Sequence, residues 1–334
     1  MEGKKKRGVE MEEEKIVLSK FKKGIELLYT HDDADGISSA VLLAHAFPLK
    51  NINCPEDFGE WEAKEDLAKN YKPPDVATDM IPKDPNWIGI CIDHHPNHHP
   101  VEVRKYTLVW DSIPTTGIVY KLFKEQIPEE YRWKVAVGLA GDGQPELIPP
   151  EIWKNCPALL DMYSVPYEKY GRITFSKIPV FLKLSSMVNA GCKIPEKWYT
   201  SYQVLKNAKE PLDVLEDPAL KAAKESVDEE ERRIFKESRP IELPHFRVWE
   251  ISSDYKIERS LGWKSEETDK KTTIVVNSKT GRISLRGVLS LIVYEELKKM
   301  NYNINGHPGF GGGKLKKDQN VEQLIRDLRK IKII

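Results

Sequence analysis

The sequence predicts an α/β fold: a mostly parallel sheet flanked by helices, then a smaller α/β domain reached through a helical linker. Three observations predict it. Short, wholly apolar runs alternate with helical stretches through the first half, as do strands buried on both faces of a parallel sheet. The first such run passes directly into a helix-period stretch, which is how a βαβ unit opens. After Pro240 the pattern changes to strands that follow one another, with Lys279-Thr280-Gly281 as a hairpin turn between two of them.

Taken in order, residues 1–15 are a charged leader. Gly24 to Thr30 reads as a buried strand (Ile25-Glu26-Leu27-Leu28-Tyr29-Thr30), and Gly36 to Phe47 as a helix apolar on all sides that packs on a sheet. Further strands are expected at Asp75–Thr78, Trp87–Ile92 and Thr107–Trp110, with helices at Thr116–Gln126 and Glu129–Leu139. Two more helices, around Ile178–Val188 and Pro195–Ala208, precede a strongly charged stretch from Asp213 to Glu237 that suits a solvent-facing connecting helix. Strands at Ile241–Ile251, Thr272–Asn277 and Arg282–Arg286, a helix at Gly287–Lys299, a glycine-rich loop at Gly306–Gly313 and a helix at Val321–Ile331 complete the chain. The division this implies is a first domain at 16–205, a charged linker at 206–240 and a second domain at 241–334.

The length of 334 residues accommodates two domains, each able to bury a core without metal or disulfide staples. The 52 Lys+Arg equal the 52 Asp+Glu, which excludes a polybasic protein that wraps duplex through many phosphate contacts but leaves room for a local basic groove. No stretch of about 18 uncharged apolar residues suggests a membrane span, and the leader lacks the apolar core of a signal peptide, so a cytoplasmic location without membrane contact is expected. Cys54, Cys91, Cys156 and Cys192 lie far apart with no C-x-x-C pair and read as buried small hydrophobes. Abundant Lys and Glu beside few Gln, with 22 Pro, is compatible with a thermophilic source.

The chemistry concentrates at strand ends, where open α/β sheets place their ligands. Thr30-His31-Asp32-Asp33-Ala34-Asp35-Gly36 lies where a buried strand gives way to a helix. His31, Asp33 and Asp35 alternate, and in extended backbone they would face one side and could share a divalent metal; an Asp here equally suits a helix N-cap. A second buried strand ends directly in Asp93-His94-His95-Pro96, a carboxylate beside two imidazoles, which is a donor set for a transition metal. Asp79 ends the strand Val76-Ala77-Thr78. Asp142 follows an apolar helix, where a carboxylate opposes the helix dipole unless a cation is near. His98 and His99 extend the histidine run into a polar loop and are not counted as ligands; His45 reads as a core histidine.

His31-x-Asp33-x-Asp35-Gly36, Asp79, Asp93-His94-His95 and Asp142, in that order, resemble the four motifs of the DHH phosphoesterase superfamily. The resemblance covers the chain from about Ile25 to Asp142. Asn305-Gly306-His307-Pro308-Gly309-Phe310-Gly311-Gly312-Gly313 is similar to the glycine-and-histidine loop of the DHH-associated substrate domain, with Asn305 in place of a glycine and Gly311-Gly312 in place of small alanines. Ile283-Ser284-Leu285-Arg286 resembles that domain's arginine-bearing strand, and Ser186–Lys193 resembles a degenerate N-A-x-G-R segment of RecJ-like nucleases, with Cys192 and Lys193 where those carry arginine.

The resemblance implies two divalent ions, Mn2+ by preference with Mg2+ or Co2+ as substitutes, held by His31, Asp33, Asp35, Asp79, His94 and Asp142, with Asp79 and Asp142 as bridging candidates. Ions about 4 Å apart suit hydrolysis of a phosphodiester. By the same resemblance His95 reaches the scissile phosphate and Asp93 orients His94. Arg286 suits a bidentate grip on phosphate, and Asn189, Gly306, His307, Gly309, Gly311 and Gly312 are substrate-binding candidates, the glycines because their amides can approach a phosphate closely. Phe310 either stacks on a base or packs beneath the loop.

The leading expectation is a single-strand-specific exonuclease that releases nucleoside monophosphates from DNA or RNA, in repair, replication or RNA trimming, with a 3′→5′ lean. It is favoured by Asn189-Ala190-Gly191 and by a cleft that a duplex would not enter. A phosphodiesterase of short RNA, cyclic dinucleotides or phosphoadenosine phosphate is the alternative, favoured by the compact length. A non-catalytic scaffold that meets a helicase or a replication or repair protein is a third, disfavoured because all six expected ligands are present.

Overall fold

The computed structural model describes residues 17–55, 73–82, 84–95, 103–169, 172–262, 271–307 and 309–331. The charged leader, His98 and His99 lie outside them. Contacts divide the chain into two compact units, one of Met1–Cys192 with Glu196–Ala223, the other of Lys193–Pro195 with Lys224–Ile334.

The first unit is built on β1 (Ile25–Thr30), β2 (Leu49–Asn53), β3 (Val76–Thr78), β4 (Ile90–Asp93) and β5 (Thr107–Trp110), in the order β2-β1-β3-β4-β5 with every pair parallel. Side chains alternate between two apolar clusters, as a period of two requires. Leu28, Val76, Ile90 and Ile92 enter one, while Tyr29, Ala77 and Cys91 enter the other with Met80, Trp87 and Tyr106. Both faces of the central strands are thus apolar, which is why their sequences carry no polar alternation. The first cluster also takes the buried faces of α1 (Ala34–Ala46), α2 (Thr115–Phe123) and α3 (Lys134–Gly141). The helix expected from Glu129 is instead a 3-10 turn at Glu129–Tyr131 followed by α3.

A short α4 (Pro150–Asn155) leads to an antiparallel hairpin of β6 (Met162–Lys169) and β7 (Arg172–Pro179). Neither hairpin strand nor β2 is among the expected elements. Pro179 then marks the passage from β7 into α5 (Val180–Lys193), followed by α6 (Trp198–Asn207), α7 (Pro211–Leu215) and the 20-residue α8 (Pro218–Glu237). The solvent-facing linker expected for this stretch needs correcting: Leu220, Ala223, Val227 and Ile234 form a buried stripe at helical spacing on α8. The division between the units falls within this helix, between Ala223 and Lys224.

The second unit is a six-stranded mixed sheet of β8 (Ile241–Glu242), β9 (Phe246–Ile251), β10 (Thr272–Asn277), β11 (Arg282–Arg286), β12 (Asn303–His307) and β13 (Phe310–Lys314), ordered β12-β13-β11-β10-β9-β8. Only β9 and β10 pair in parallel. Helices α9 (Ser290–Lys299) and α10 (Val321–Leu328) cover one face through Val293, Leu297, Leu324 and Leu328. No helix among the described residues is long and apolar enough to cross a membrane.

Candidate metal centre

Three adjacent parallel strands end level with one another. Thr30 pairs with Thr78 and Thr78 with Ile92, and neighbouring strands lie about 4.8 Å apart. The residues that follow, His31, Asp79 and Asp93, are therefore gathered at one edge of the sheet. Asp79 holds a left-handed backbone, φ 58°, which Asp tolerates better than most residues. Its amide still donates to the Ile92 carbonyl at 3.0 Å. The chain turns away there and leaves the carboxylate buried.

Asp79 is the centre of the constellation. Its Oδ1 lies 3.4 Å from His94 Nε2 and 3.8 Å from His95 Nδ1, and its Oδ2 lies 3.8 Å from His31 Nδ1. His31 Nδ1 is in turn 2.9 Å from Asp33 Oδ2. Two groups of donor atoms result, His31–Asp33–Asp79 and Asp79–Asp93–His94–His95, and Asp79 belongs to both. Asp35 Oδ2 and Asp142 Oδ2 each lie 3.9 Å from the two ring nitrogens of His94, on Nε2 and Nδ1 respectively.

Alternation along a strand does not bring His31, Asp33 and Asp35 together, because a helix starts among them. Asp33 is the N-cap of α1: its Oδ1 accepts from the amides of Asp35 and Gly36 at 3.1 and 3.0 Å, while Oδ2 faces His31. Capping and His31 pairing thus use different oxygens of one carboxylate. Asp35 sits in the first turn of α1, and its two oxygens accept from the amides of Thr115 and Thr116 at 2.8 Å each, at the start of α2. Gly36 is needed because a Cβ there would lie 2.3 Å from the His31 carbonyl oxygen. Gly141 plays the same part for Asp142, since a Cβ on it would meet the Ala34 side chain at 2.5 Å.

Asp93 does not orient His94. Its Oδ1 accepts from the His95 amide at 2.8 Å and lies 2.7 Å from His95 Nδ1. Its Oδ2 is buried with no hydrogen-bond partner among the described residues. Asn189 directs its side-chain carbonyl to the Ala34 amide at 2.8 Å, so α5 pins the turn that carries His31, Asp33 and Asp35.

The electrostatics call for a cation. Burial, followed by the charges of Asp35, Asp33, Asp93 and Asp142, holds the Asp79 carboxyl well above the ordinary carboxylate range. Burial and the Asp33 and Asp142 charges push Asp35 up to about 7, against the hydrogen bonds from Thr116. Burial disfavours the His95 cation, yet the hydrogen bond and charge of Asp93 outweigh it and raise the pKa. No lysine or arginine among the described residues is paired with Asp35, Asp79 or Asp93. Buried carboxylates gathered beside imidazoles fit divalent cations that accept oxygen and nitrogen donors.

No family model matches the sequence, and no curated protein matches it. Solved structures do match in three dimensions. RecJ from Thermus thermophilus, solved in complex with Mn2+, has a TM-score of 0.66 at 13% identity over 95% of this chain and 53% of its own. An exonuclease RecJ bound to manganese has 0.59 at 11% identity, over 96% of this chain and 92% of that one. The DHH domain of a member of a ribosomal-protein family has 0.57 at 12% identity, over 92% and 87%. The fold is the RecJ-like DHH fold. This chain spans about half the length of the Thermus RecJ chain.

In this DHH fold the second unit revises one expectation. Gly306–Gly313 is not a loop but the hairpin of β12 and β13, with Gly306 opposite Gly311 and Asn305 opposite Gly312. Strand β13 is also paired with β11, Gly311 opposite Leu285 and Gly312 opposite Ser284. Strand β13 thus lies between two partner strands, and Gly313 serves close packing there: a Cβ on it would lie 2.1 Å from the Asn303 carbonyl oxygen. Gly309 takes φ 92° at the hairpin turn. Arg286, the last residue of β11, is buried, with its stem against Gly262. The side chains of His307 and Phe310 lie outside the described residues.

Thr115 and Thr116 are functional candidates that the sequence does not disclose. Besides the two amides on Asp35, the Thr115 hydroxyl donates to Asp79 Oδ1 at 3.1 Å. The one local signal is Pro114 ahead of them, which marks a helix start but names no partner.

Proposed function

We propose that this chain is a metal-dependent phosphodiester hydrolase, a single-strand-specific exonuclease that releases nucleoside monophosphates from DNA or RNA. The observation that carries the reading is Asp79, one buried carboxylate common to two donor groups. His31 and Asp33 would hold one divalent ion and Asp93, His94 and His95 flank the place of a second, with Asp79 shared and Asp35 and Asp142 beside His94. We assign Mn2+ to these places, with Mg2+ or Co2+ as substitutes. Divalent ions bound by these residues would supply an activated water near neutral pH and would offset the negative charge of an in-line displacement at phosphorus.

The residues themselves orient and position. Thr115 and Thr116 fix the carboxylates of Asp79 and Asp35, so those oxygens need no rearrangement to act as ligands. Asp93 fixes the His95 ring through Nδ1, which presents Nε2 as the edge that meets the scissile phosphate. Asn189 holds the start of α1 in place. Catalysis is assigned to the 16–205 region and substrate holding to 241–334, with Arg286 and the Gly306–Gly313 hairpin as its candidate contacts.

The test uses 5′- and 3′-labelled single strands and duplexes of several lengths, with Mn2+ and with chelator. Stepwise shortening of single strands, dependent on Mn2+, is expected, and the surviving label gives the direction. If long strands stay intact while dinucleotides disappear, the chain is a short-oligonucleotide phosphodiesterase instead.

A further inference from the structure

Trp110 is the last residue of β5, an edge strand, and it is 52% exposed. Among the described residues it is the one exposed tryptophan; Trp87, Trp133 and Trp249 are buried, Trp153 and Trp198 intermediate. An indole in water forgoes a large burial gain, so its place calls for a reason. It pairs in register with Asp93 on β4. Registered neighbours project from the same side of a sheet, so the indole stands on the side of Asp93, one strand spacing away. Its Nε1–H donates to the His95 carbonyl at 2.9 Å. One edge of the ring is thereby tied to the metal-centre turn while about half the residue stays open to solvent.

We infer that Trp110 is a stacking platform for a nucleobase adjacent to the scissile phosphate, so that the centre is built for nucleotide-bearing phosphodiesters and not for phosphodiesters in general. The inference rests on the proposed hydrolase reading and adds the side chain that would hold the base. A planar aromatic surface beside the reacting phosphate holds any base through its π-face, which gives affinity without sequence preference. The tie to His95 fixes the platform relative to the residue expected to meet the phosphate, so stacking would also set the position of the ester along the centre.

The experiment compares a dinucleotide with the same backbone lacking first one base, then both, in the Mn2+-loaded wild type, Trp110→Phe and Trp110→Leu. The readout is the ratio of kcat/KM for the dinucleotide to that for the doubly abasic substrate. Phe keeps an aromatic face and loses the N–H, whereas Leu loses both. The ratio is expected to persist in Trp110→Phe and to fall about ten-fold in Trp110→Leu, and the singly abasic substrates show which base is held. An unchanged ratio in Trp110→Leu, with both substrates slowed together, would mean that the indole only braces His95, and the inference fails. If the wild type cleaves neither substrate, the hydrolase reading fails, and tryptophan emission during dinucleotide titration decides the platform. Quenching in the wild type that Trp110→Leu abolishes supports it, and equal quenching in both overturns it.

Discussion

One oxygen of Asp79 lies 3.4 Å from Nε2 of His94, while its other oxygen faces His31. A single side chain thus links the turn after β1 to the turn after β4. It can do so because β3, which delivers it, lies between those two strands. The strand order of the sheet is in this sense the origin of the shared ligand.

Replacing Asp79 by Asn is expected to separate stability from activity. Its carboxyl is held high by burial and by four neighbouring carboxylates, so in the metal-free protein the ionised form is disfavoured, and Asp79→Asn puts a side chain there that does not ionise. Melting in the presence of chelator should rise, the further rise produced by Mn2+ should shrink, and hydrolysis should drop by at least about a hundred-fold. Thermal melts with and without Mn2+, beside a single-strand hydrolysis assay, measure all three.

The pH dependence of stability follows from Asp35. Its folded-state pKa of about 7 stands above the ordinary value of 3.8. A raised carboxyl binds its proton more tightly in the folded state, so the stability it contributes is present at low pH and is lost as pH rises through about 7. The metal-free protein should therefore lose resistance to urea between about pH 4 and pH 7, the window that these two pKa values span. Stabilisation by Mn2+ should grow over the same interval, because ligand oxygens must be deprotonated to bind it. Urea titrations at three pH values, each with Mn2+ and with chelator, check both trends.

Thr115→Val keeps the shape of the side chain and the amide on Asp35 but removes the hydroxyl on Asp79. Loss of an outer hydrogen bond to a ligand lowers metal affinity or activity by about 10–100-fold. The Mn2+ concentration needed for half-maximal hydrolysis should rise, while the circular dichroism spectrum stays that of the wild type.

Asn189→Ala removes the acceptor for the Ala34 amide. A lost bond of this kind costs about 1 kcal/mol of stability, and activity should fall with it as the start of α1 loosens. Asn189→Asp retains an acceptor and should recover the stability. Denaturant midpoints of the two variants give the comparison.

Much of this centre was legible in the sequence, because wholly apolar runs such as Ile90-Cys91-Ile92 stop abruptly at charged residues, and in a parallel sheet those stops share one edge. Three features were not. Thr115 and Thr116 meet Asp35 across about eighty residues of chain, and no local pattern encodes that contact. Asp93 belongs to His95 and not to His94 because the backbone turns directly after β4, which spacing alone leaves undecided. The strands of the Gly306–Gly313 hairpin escaped because glycine has no side chain with which to show a period of two. In β7, Arg172–Lys177 has apolar residues only at Ile173 and Phe175, too few to show a period of two, and the helix expected around Ile178 begins at Val180, after the strand has ended.

The shared-carboxylate account is tested most directly by counting metal ions. Isothermal titration of the metal-free protein with Mn2+, followed by electron paramagnetic resonance of the loaded sample, should give two ions per chain with spin coupling between them. In Asp79→Asn the coupling should vanish and the number of tightly bound ions should fall below two, with hydrolysis lost alongside. Two coupled ions and undiminished hydrolysis in Asp79→Asn would contradict the account.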